Sequence, residues 1–420
     1  MRTADWRVLL GVYWFTSLVE GIGVSQVFAF LPTLLRDMGI AEPDRLQFVG
    51  IFNALIFVVG APLVPLWGVW ADKYSRKAVI IRSALVEAVV AIAVGLSREP
   101  WQLGLSVLLI GFQLGNTGVM LAGIRDVVPR QRLGTAIAFF GASGPIGFAV
   151  GPILGGFIVD GLGLPLAAAF FAAAGLSLLT VVMLAIGTPE VRPEVVPTGG
   201  VIRLAFGAMR SVLTEPVTRR IFLLFGIAFL GSQMSRPYLP ILVERLNTTG
   251  QNLASDIGFV AGTAALAGAI VSIGGGAIGD RIGFRPVLAV ALLGGGVVLV
   301  LTPLASSIPL LALTALLFAA LSAAVSAMVF GLLAIEVPPD RRSATLNLVY
   351  LPLYVAGFVG PALGSVVVSA GLHAPFWAGG TVLTVAGLVL IRSARRHPRP
   401  NDRRGTGDAD LVDASGPSGT

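Results

Sequence analysis

A polytopic α-helical membrane protein, built as twelve spans in two pseudo-symmetric six-helix halves, is the fold class that this sequence predicts. Three observations carry it. Only 12% of the 420 residues are charged, against about 25% in soluble domains, and the mean hydropathy is +0.88. Uncharged runs recur at roughly the 20-residue length that crosses a bilayer core as a helix. Two polar stretches that interrupt those runs match each other half a chain apart. Gly68-Val69-Trp70-Ala71-Asp72-Lys73-Tyr74-Ser75-Arg76-Lys77 is echoed by Gly276-Ala277-Ile278-Gly279-Asp280-Arg281-Ile282-Gly283-Phe284-Arg285, and Asp72 and Asp280 lie 208 residues apart.

The apolar runs place spans at 8–33, 47–68, 78–97, 101–124, 134–159, 165–187, 219–241, 255–278, 286–304, 309–334, 343–368 and 374–392. They are continuous rather than alternating, which excludes a β-barrel, and in lipid only helices then satisfy the backbone. Residues 1–187 form the first half and 219–392 the second. A polar connector at 188–218, with Pro189, Pro193, Pro197 and Pro216, joins them. Residues 393–420 are rich in Arg, Pro, Gly, Asp and Ser and read as a disordered tail. The 53 Gly and 26 Pro fit membrane helices, which tolerate both.

Lys and Arg in the short loops set the orientation. With the N-terminus inside, 24 of the 29 cations fall on the inner side. Arg36, Arg45, Arg98, Arg236 and Arg245 make up the other five. Both termini and both Asp-containing stretches are therefore expected in the cytoplasm, with the chain in the cell (inner) membrane. Net charge +7 is then a topology signal and not a sign of nucleic-acid binding. Residues 1–7 lead into an apolar run too long for a signal-peptide core and lacking a small-residue cleavage site. With no Cys, and with His373 and His397 far apart, neither disulfides nor a metal cluster are expected. No Gly-x-x-x-x-Gly-Lys loop appears, so ATP is not the energy source. No Ser/His/Asp set is present, so an enzyme is not expected.

The halves match in two further places. Gly151-Pro152-Ile153-Leu154-Gly155-Gly156 in the fifth span is echoed by Gly360-Pro361-Ala362-Leu363-Gly364-Ser365 in the eleventh. Val128-Pro129-Arg130-Gln131-Arg132 before the fifth is echoed by Pro338-Pro339-Asp340-Arg341-Arg342 before the eleventh. Parallel six-helix repeats are a transporter architecture with the substrate site near the midplane between them.

At these residues the chain resembles the major facilitator superfamily, and within it the twelve-helix drug:proton antiporter group. The likeness covers residues 5–395. Asp72 and Arg76 fall on the Asp and Arg of the superfamily's signature between spans 2 and 3, with Ser75 in place of a Gly. Asp126, at the inner end of span 4, matches an acidic gate partner. Gly147, Gly151, Pro152, Gly155 and Gly156 match the span 5 signature associated with antiporters. One element departs from the pattern: Gly111 stands where the group carries an Arg on span 4 that is implicated in proton coupling. The resemblance implies a monomeric carrier that needs no cofactor, takes its energy from a proton gradient and exports small amphiphilic molecules.

Glu20 in span 1 and Glu87 in span 3 are the deep acids. Charged groups at such depth are costly and are functional candidates by default. A carboxyl that can be neutral or charged there suits proton exchange, and both are the proton-coupling candidates. For each, a packing acid hydrogen-bonded to a neighbouring helix is the alternative. Asp72, Arg76 and Asp126, with their second-half counterparts Asp280 and Arg281, are the candidate gate. It would latch the halves on the inner side and open on switching. The resemblance puts Tyr13, Ser17 and Glu20 of span 1, Gln113 and Asn116 of span 4, and Gln233, Met234 and Tyr238 of span 7 around the substrate cavity. Apolar walls with few polar groups suit loosely specified amphiphiles. Export of one defined metabolite (a sugar, siderophore or lipid) and a non-transporting sensor on the same fold remain alternative readings.

Overall fold

The computed structural model describes residues 5–396 except 192, 194, 195, 197 and 337–350. Twelve helices in it are long and apolar enough to cross a membrane. They are α1 Trp6–Asp37, α2 Asp44–Lys73, α3 Arg76–Leu96, α4 Pro100–Val127, α5 Arg130–Gly161, α6 Leu166–Gly187, α7 Pro216–Leu246, α8 Leu253–Ile282, α9 Phe284–Leu304, α10 Ile308–Glu336, α11 Leu351–Ala370 and α12 Ala374–Arg396. The described residues hold no β-strand. The outer surface carries exposed apolar side chains such as Trp101, Ile186, Val290 and Val366, each at least two-thirds exposed. Such a surface suits lipid rather than water. The chain is a multi-pass helical membrane protein.

Local chemistry starts the helices where the runs predict. Asp5 caps α1 by accepting from the Arg7 N–H at 3.0 Å, and Ser75 caps α3 by accepting from Ala78 N–H at 2.9 Å. Pro100 and Pro216 occupy the first turns of α4 and α7, where no intrahelical N–H is required. Glu99 and Gln102 form a reciprocal capping box on α4. Within the connector, Val201–Leu213 forms a short amphipathic helix that packs on α2. The expected span at 343–368 is described from Leu351 onward. Asp340, Arg341 and Arg342 of the second repeat, together with Pro338, Pro339 and the tail from 397, lie outside the described residues.

Two spans are broken near mid-depth. In α4 a 3-10 turn at Ile110–Phe112 is followed by Gly115 at φ 99° before the helix resumes at Asn116. In α7 a 3-10 turn at Arg236–Tyr238 marks Pro237. The α4 break packs on α2 and α3 of its own half, and the α7 break meets α1 and α2 across the seam between the halves.

That seam is tight at one end and loose at the other. We call the end bearing Trp6 and Arg396 the near face and the opposite end the far face. Toward the far face α5 packs on α8 so closely that a methyl at Gly156 would stand 2.8 Å from Ala254 O, and one at Gly258 2.5 Å from Pro152 O. α2 meets α11 in the same way: a methyl at Gly50 would stand 2.6 Å from Ser365 Cβ, and one at Gly357 2.8 Å from Phe57. Arg45 bridges Glu42 at 3.0 Å and Glu244 of α7 at 3.0 Å, and Ser255 N–H donates to Asp160 at 2.6 Å. Toward the near face, a methyl at Gly68, Gly134, Gly141, Gly274 or Gly276 would meet no atom within 4 Å. Among the described residues, the halves pack closely at the far face and make no such close approach at these near-face glycines.

Candidate functional site

The near-face charge cluster belongs to the first half. The Arg76 side chain is buried, 2% exposed, and donates to Asp72 at 2.8 Å and to Asp126 at 2.7 Å. Asp72 ends α2, Arg76 begins α3 and Asp126 ends α4, so one guanidinium ties three helix ends together. Glu190 of the segment after α6 and Lys77 of α3 complete the knot. Glu190 accepts from Ser75 Oγ, and its Oε1 accepts from the Arg76 N–H at 2.9 Å, at the N-terminus of α3. Lys77 Nζ donates to Ala185 O and Thr188 O at the end of α6, both at 2.7 Å. A carboxylate at a helix N-terminus and an ammonium at a C-terminus both complement the helix dipoles.

The second-half copy is built differently. Asp280 and Arg281 are exposed at the end of α8 and form no ion pair among the described residues. The cation that is engaged there is Arg285, which meets Glu336 of α10 at 3.0 Å. The structure therefore brings Asp72, Arg76 and Asp126 together and leaves Asp280 and Arg281 apart from one another's charge and from the first-half cluster.

Deeper in the first half, Glu20 lies partly accessible within the bundle and accepts from Asn116 Nδ2 at 2.9 Å. Asn116 is the first residue after the break in α4, so the break aims its amide at α1. Gln113 stands beside Glu20. Glu87 of α3 is buried and points at α1, where a methyl at Gly23 would collide with its Oε1. That Oε1 has no hydrogen-bond partner. Glu20 and Glu87 are close enough for their charges to interact.

Arg82 completes this group, and the charge tally had counted it as a loop cation. It lies inside α3 with its guanidinium 3.7 Å over the Trp67 ring, an arrangement favourable to a cation. Its Nη2 donates to Leu114 O at 3.3 Å, while Ser83 Oγ donates to Gln113 O. These are carbonyls of the α4 break, so α3 satisfies the backbone that the break frees. Nε and Nη1 of Arg82 are unpartnered, and its charge interacts with Glu20. Gly111 has a packing reason to be Gly. A methyl there would stand 2.8 Å from Gly60 N and 2.9 Å from Ile56 O of α2. That side of α4 has no room for a larger side chain, and the cation near Glu20 is Arg82 of α3.

Several residues expected around the cavity are buried in this conformation. Tyr13 is 1% exposed, and its ring stands 3.2 Å from where a methyl at Gly123 of α4 would lie. Ser17 is buried against Gly144 of α5. Gln233, Met234 and Tyr238 are buried where α7 packs on Gly360 and Gly364 of α11 and, for Tyr238, on Gly50 of α2. These side chains are packing contacts in this conformation and not an open wall; Gln113 and Asn116 are buried in the shell around Glu20. The signature of α5 serves close approach on two sides. A methyl at Gly147 would collide with Leu18 O, one at Gly151 would stand 2.5 Å from Ile22 O, and one at Gly155 would collide with Phe30, all on α1. Gly156 and the Pro152 carbonyl meet α8. An apolar groove of about 530 Å³ between α2 and α4, lined by Phe48, Phe52 and Trp101, opens sideways on the lipid-facing surface and carries no charged group. Among the described residues no group of His, Asp and Glu could hold a metal ion.

The family model of the Major Facilitator Superfamily matches residues 13–255 and 221–415. The chain belongs to that superfamily. It is 27% identical over 380 residues to the multidrug resistance protein MdtG of Proteus mirabilis, spanning 90% of this chain and 93% of that protein. It is 26% identical over 393 residues to the multi-drug resistance efflux pump PmrA of Streptococcus pneumoniae, spanning 92% and 95%. The crystal structure of the nucleoside transporter NupG (D323A mutant) superposes with a TM-score of 0.74 at 13% identity, over 93% of this chain and all of that one. Such a likeness shows the fold. The chain is thus a transporter-family membrane protein whose relatives in sequence carry multidrug-efflux names.

Proposed function

We propose that this carrier exports small amphiphilic molecules, drugs among them, in exchange for protons by alternating access. Both termini lie in the cytoplasm, the near face is the cytoplasmic side, and the cell (inner) membrane is the site of action. The carrier works as a monomer, with the proton gradient as its energy source and no cofactor. The observation that carries the reading is Glu20: an accessible acid at mid-depth, hydrogen-bonded to Asn116, with Glu87 and Arg82 in electrostatic range. Protonation of Glu20 would remove the attraction to Arg82 and weaken the pull of Asn116, so proton occupancy can bias how α1, α3 and α4 sit together. A bias of that kind shifts the balance between two states.

The close packing at the far face and the free glycines at the near face support assigning this conformation to the state open to the cytoplasm. In the opposite state the Asp72–Arg76–Asp126 knot meets the second half and closes the near face. The glycines of α5 let it roll between α1 and α8 without opening a leak.

The test uses the full chain in liposomes with an imposed inside-acid gradient, following fluorescent amphiphiles of either charge together with a lumenal pH indicator. Accumulation of an amphiphile with matching lumenal alkalinisation, absent in Glu20→Gln, is expected. Accumulation without proton movement would overturn the coupling, and no movement of any amphiphile by folded protein would overturn the substrate class.

A further inference from the structure

Arg236 is a charged side chain within α7 that the mechanism above does not use. It begins the 3-10 break of α7. Its side chain lies among α7, α1 and α5 and keeps an exposed surface. Its guanidinium sits 4.4 Å over the Phe28 ring of α1 and 5.4 Å from that of Phe148 of α5. It forms no ion pair and no hydrogen bond among the described residues, and no carboxylate there is close enough to interact with it. Glu244, the acid further along α7, is committed to Arg45 at 3.0 Å and Arg36 at 3.5 Å. Glu20 is eight residues before Phe28 on α1, about 12 Å along the helix axis.

An uncompensated cation at this depth is costly. Two aromatic faces offset part of that cost and hold the guanidinium in one plane. They leave its N–H edge without a protein partner. That edge is a planar set of donors shaped for a carboxylate, sulfonate or phosphate group. Phe28 and Phe148 supply an apolar surface beside it.

Resting on the transporter reading, we infer that Arg236 is the charge-selecting contact of the cavity, and that the preferred cargo is an amphiphile bearing an anionic group. The anion pairs with Arg236 and the apolar body lies against Phe28 and Phe148. A lipophilic cation is disfavoured there by like-charge repulsion.

The experiment is equilibrium binding to the full chain in nanodiscs of zwitterionic lipid, with empty nanodiscs subtracted. The probes are 2-naphthalenesulfonate and N,N,N-trimethyl-2-naphthylammonium, which share an apolar body and differ in charge. The sulfonate is expected to bind at least about tenfold tighter, the difference that one good charge-assisted contact of about 1.4 kcal/mol gives. Arg236→Gln is expected to erase that preference, and Arg236→Lys, which keeps the charge but not the planar donor edge, to keep a smaller preference of the same sign. Equal binding, a preference for the ammonium, no binding of either, or unchanged sulfonate affinity in Arg236→Gln would each overturn the inference. Should Arg236→Gln not fold, the wild-type probe ratio and the Lys variant decide. A failure here leaves proton-coupled accumulation in liposomes untouched, and a failure there leaves the charge preference measurable.

Discussion

The two halves repeat each other in sequence and diverge in chemistry. In the first, Arg76 gathers Asp72 and Asp126, and Glu20, Glu87 and Arg82 sit in the interior. In the second, Asp280 and Arg281 stand exposed at the matching loop, and the deep charge among its described spans is Arg236, without an acid. The α3 N-terminus is capped by Ser75 and Glu190, whereas the equivalent α9 starts at Gly283, at φ 101° and with no side-chain cap. The repeat preserves what the scaffold needs, which is the glycines that let helices touch and the turn between paired spans. Charged side chains are free to specialise, so matched motifs need not do matched work. On the reading proposed above, the first half serves proton exchange and the second reads the cargo.

The sharpest break in this comparison is Glu20→Gln. It keeps the shape and the contact with Asn116 but cannot change charge. Proton movement in liposomes should fall to the level of protein-free vesicles, a loss of the whole signal, with expression intact. Retention of more than about half the wild-type proton flux would move the coupling elsewhere, with Glu87→Gln the next variant to measure.

The next contrast sets Arg76→Gln against Arg281→Gln. Removing a buried guanidinium leaves two carboxylates facing each other at the near face. Loss of one member of a buried pair is strongly destabilising, though Asp72 and Asp126 are partly exposed and solvent reduces the effect. The melting temperature of Arg76→Gln in detergent should fall by several degrees, and that of Arg281→Gln should stay within about one degree, the usual range for an exposed site. Equal shifts would mean that the two loops do the same structural work after all.

Much of this architecture was legible from the chain alone, and the reasons are physical. A bilayer demands long uncharged runs, so all twelve spans could be located from composition and length. The glycines at 147, 151, 155 and 156 could be placed because close helix approach leaves a periodic mark. Asp72 and Arg76 could be found because charges are rare in such a sequence and their spacing repeats. What stayed hidden was depth and direction. Arg82 looks like a loop cation because it lies close to a break in hydrophobicity, and only three-dimensional packing places it over Trp67 and Arg236, on the seventh span, over Phe28. Tyr13 and Ser17 share a helical face with Glu20, yet one helix face meets α4, α5 and open space in turn along its length. Glu190 carried no local signal, since its partners lie 113 to 115 residues away. Gly111 reads as a lost Arg until the α2 backbone is seen against it.

The smallest effect comes from that cap. Glu190→Ala removes the carboxylate that accepts from the Arg76 and Lys77 N–H groups, at 2.9 Å and 3.4 Å. Losing an N-terminal cap costs about 1 kcal/mol, and Ser75 still satisfies one donor, so a fall of only a few degrees in melting temperature is expected. The position matters more than the size. Glu190 belongs to the segment that leaves α6, so it ties the connector to the very helix end where Arg76 holds Asp72 and Asp126. If the near-face knot moves as a unit when the carrier switches, Glu190→Ala combined with Arg76→Gln should cost less than the two losses added, because the second removal acts on a helix end already released. Strict additivity would mean that the cap merely finishes α3, and that the connector hangs on the gate without belonging to it.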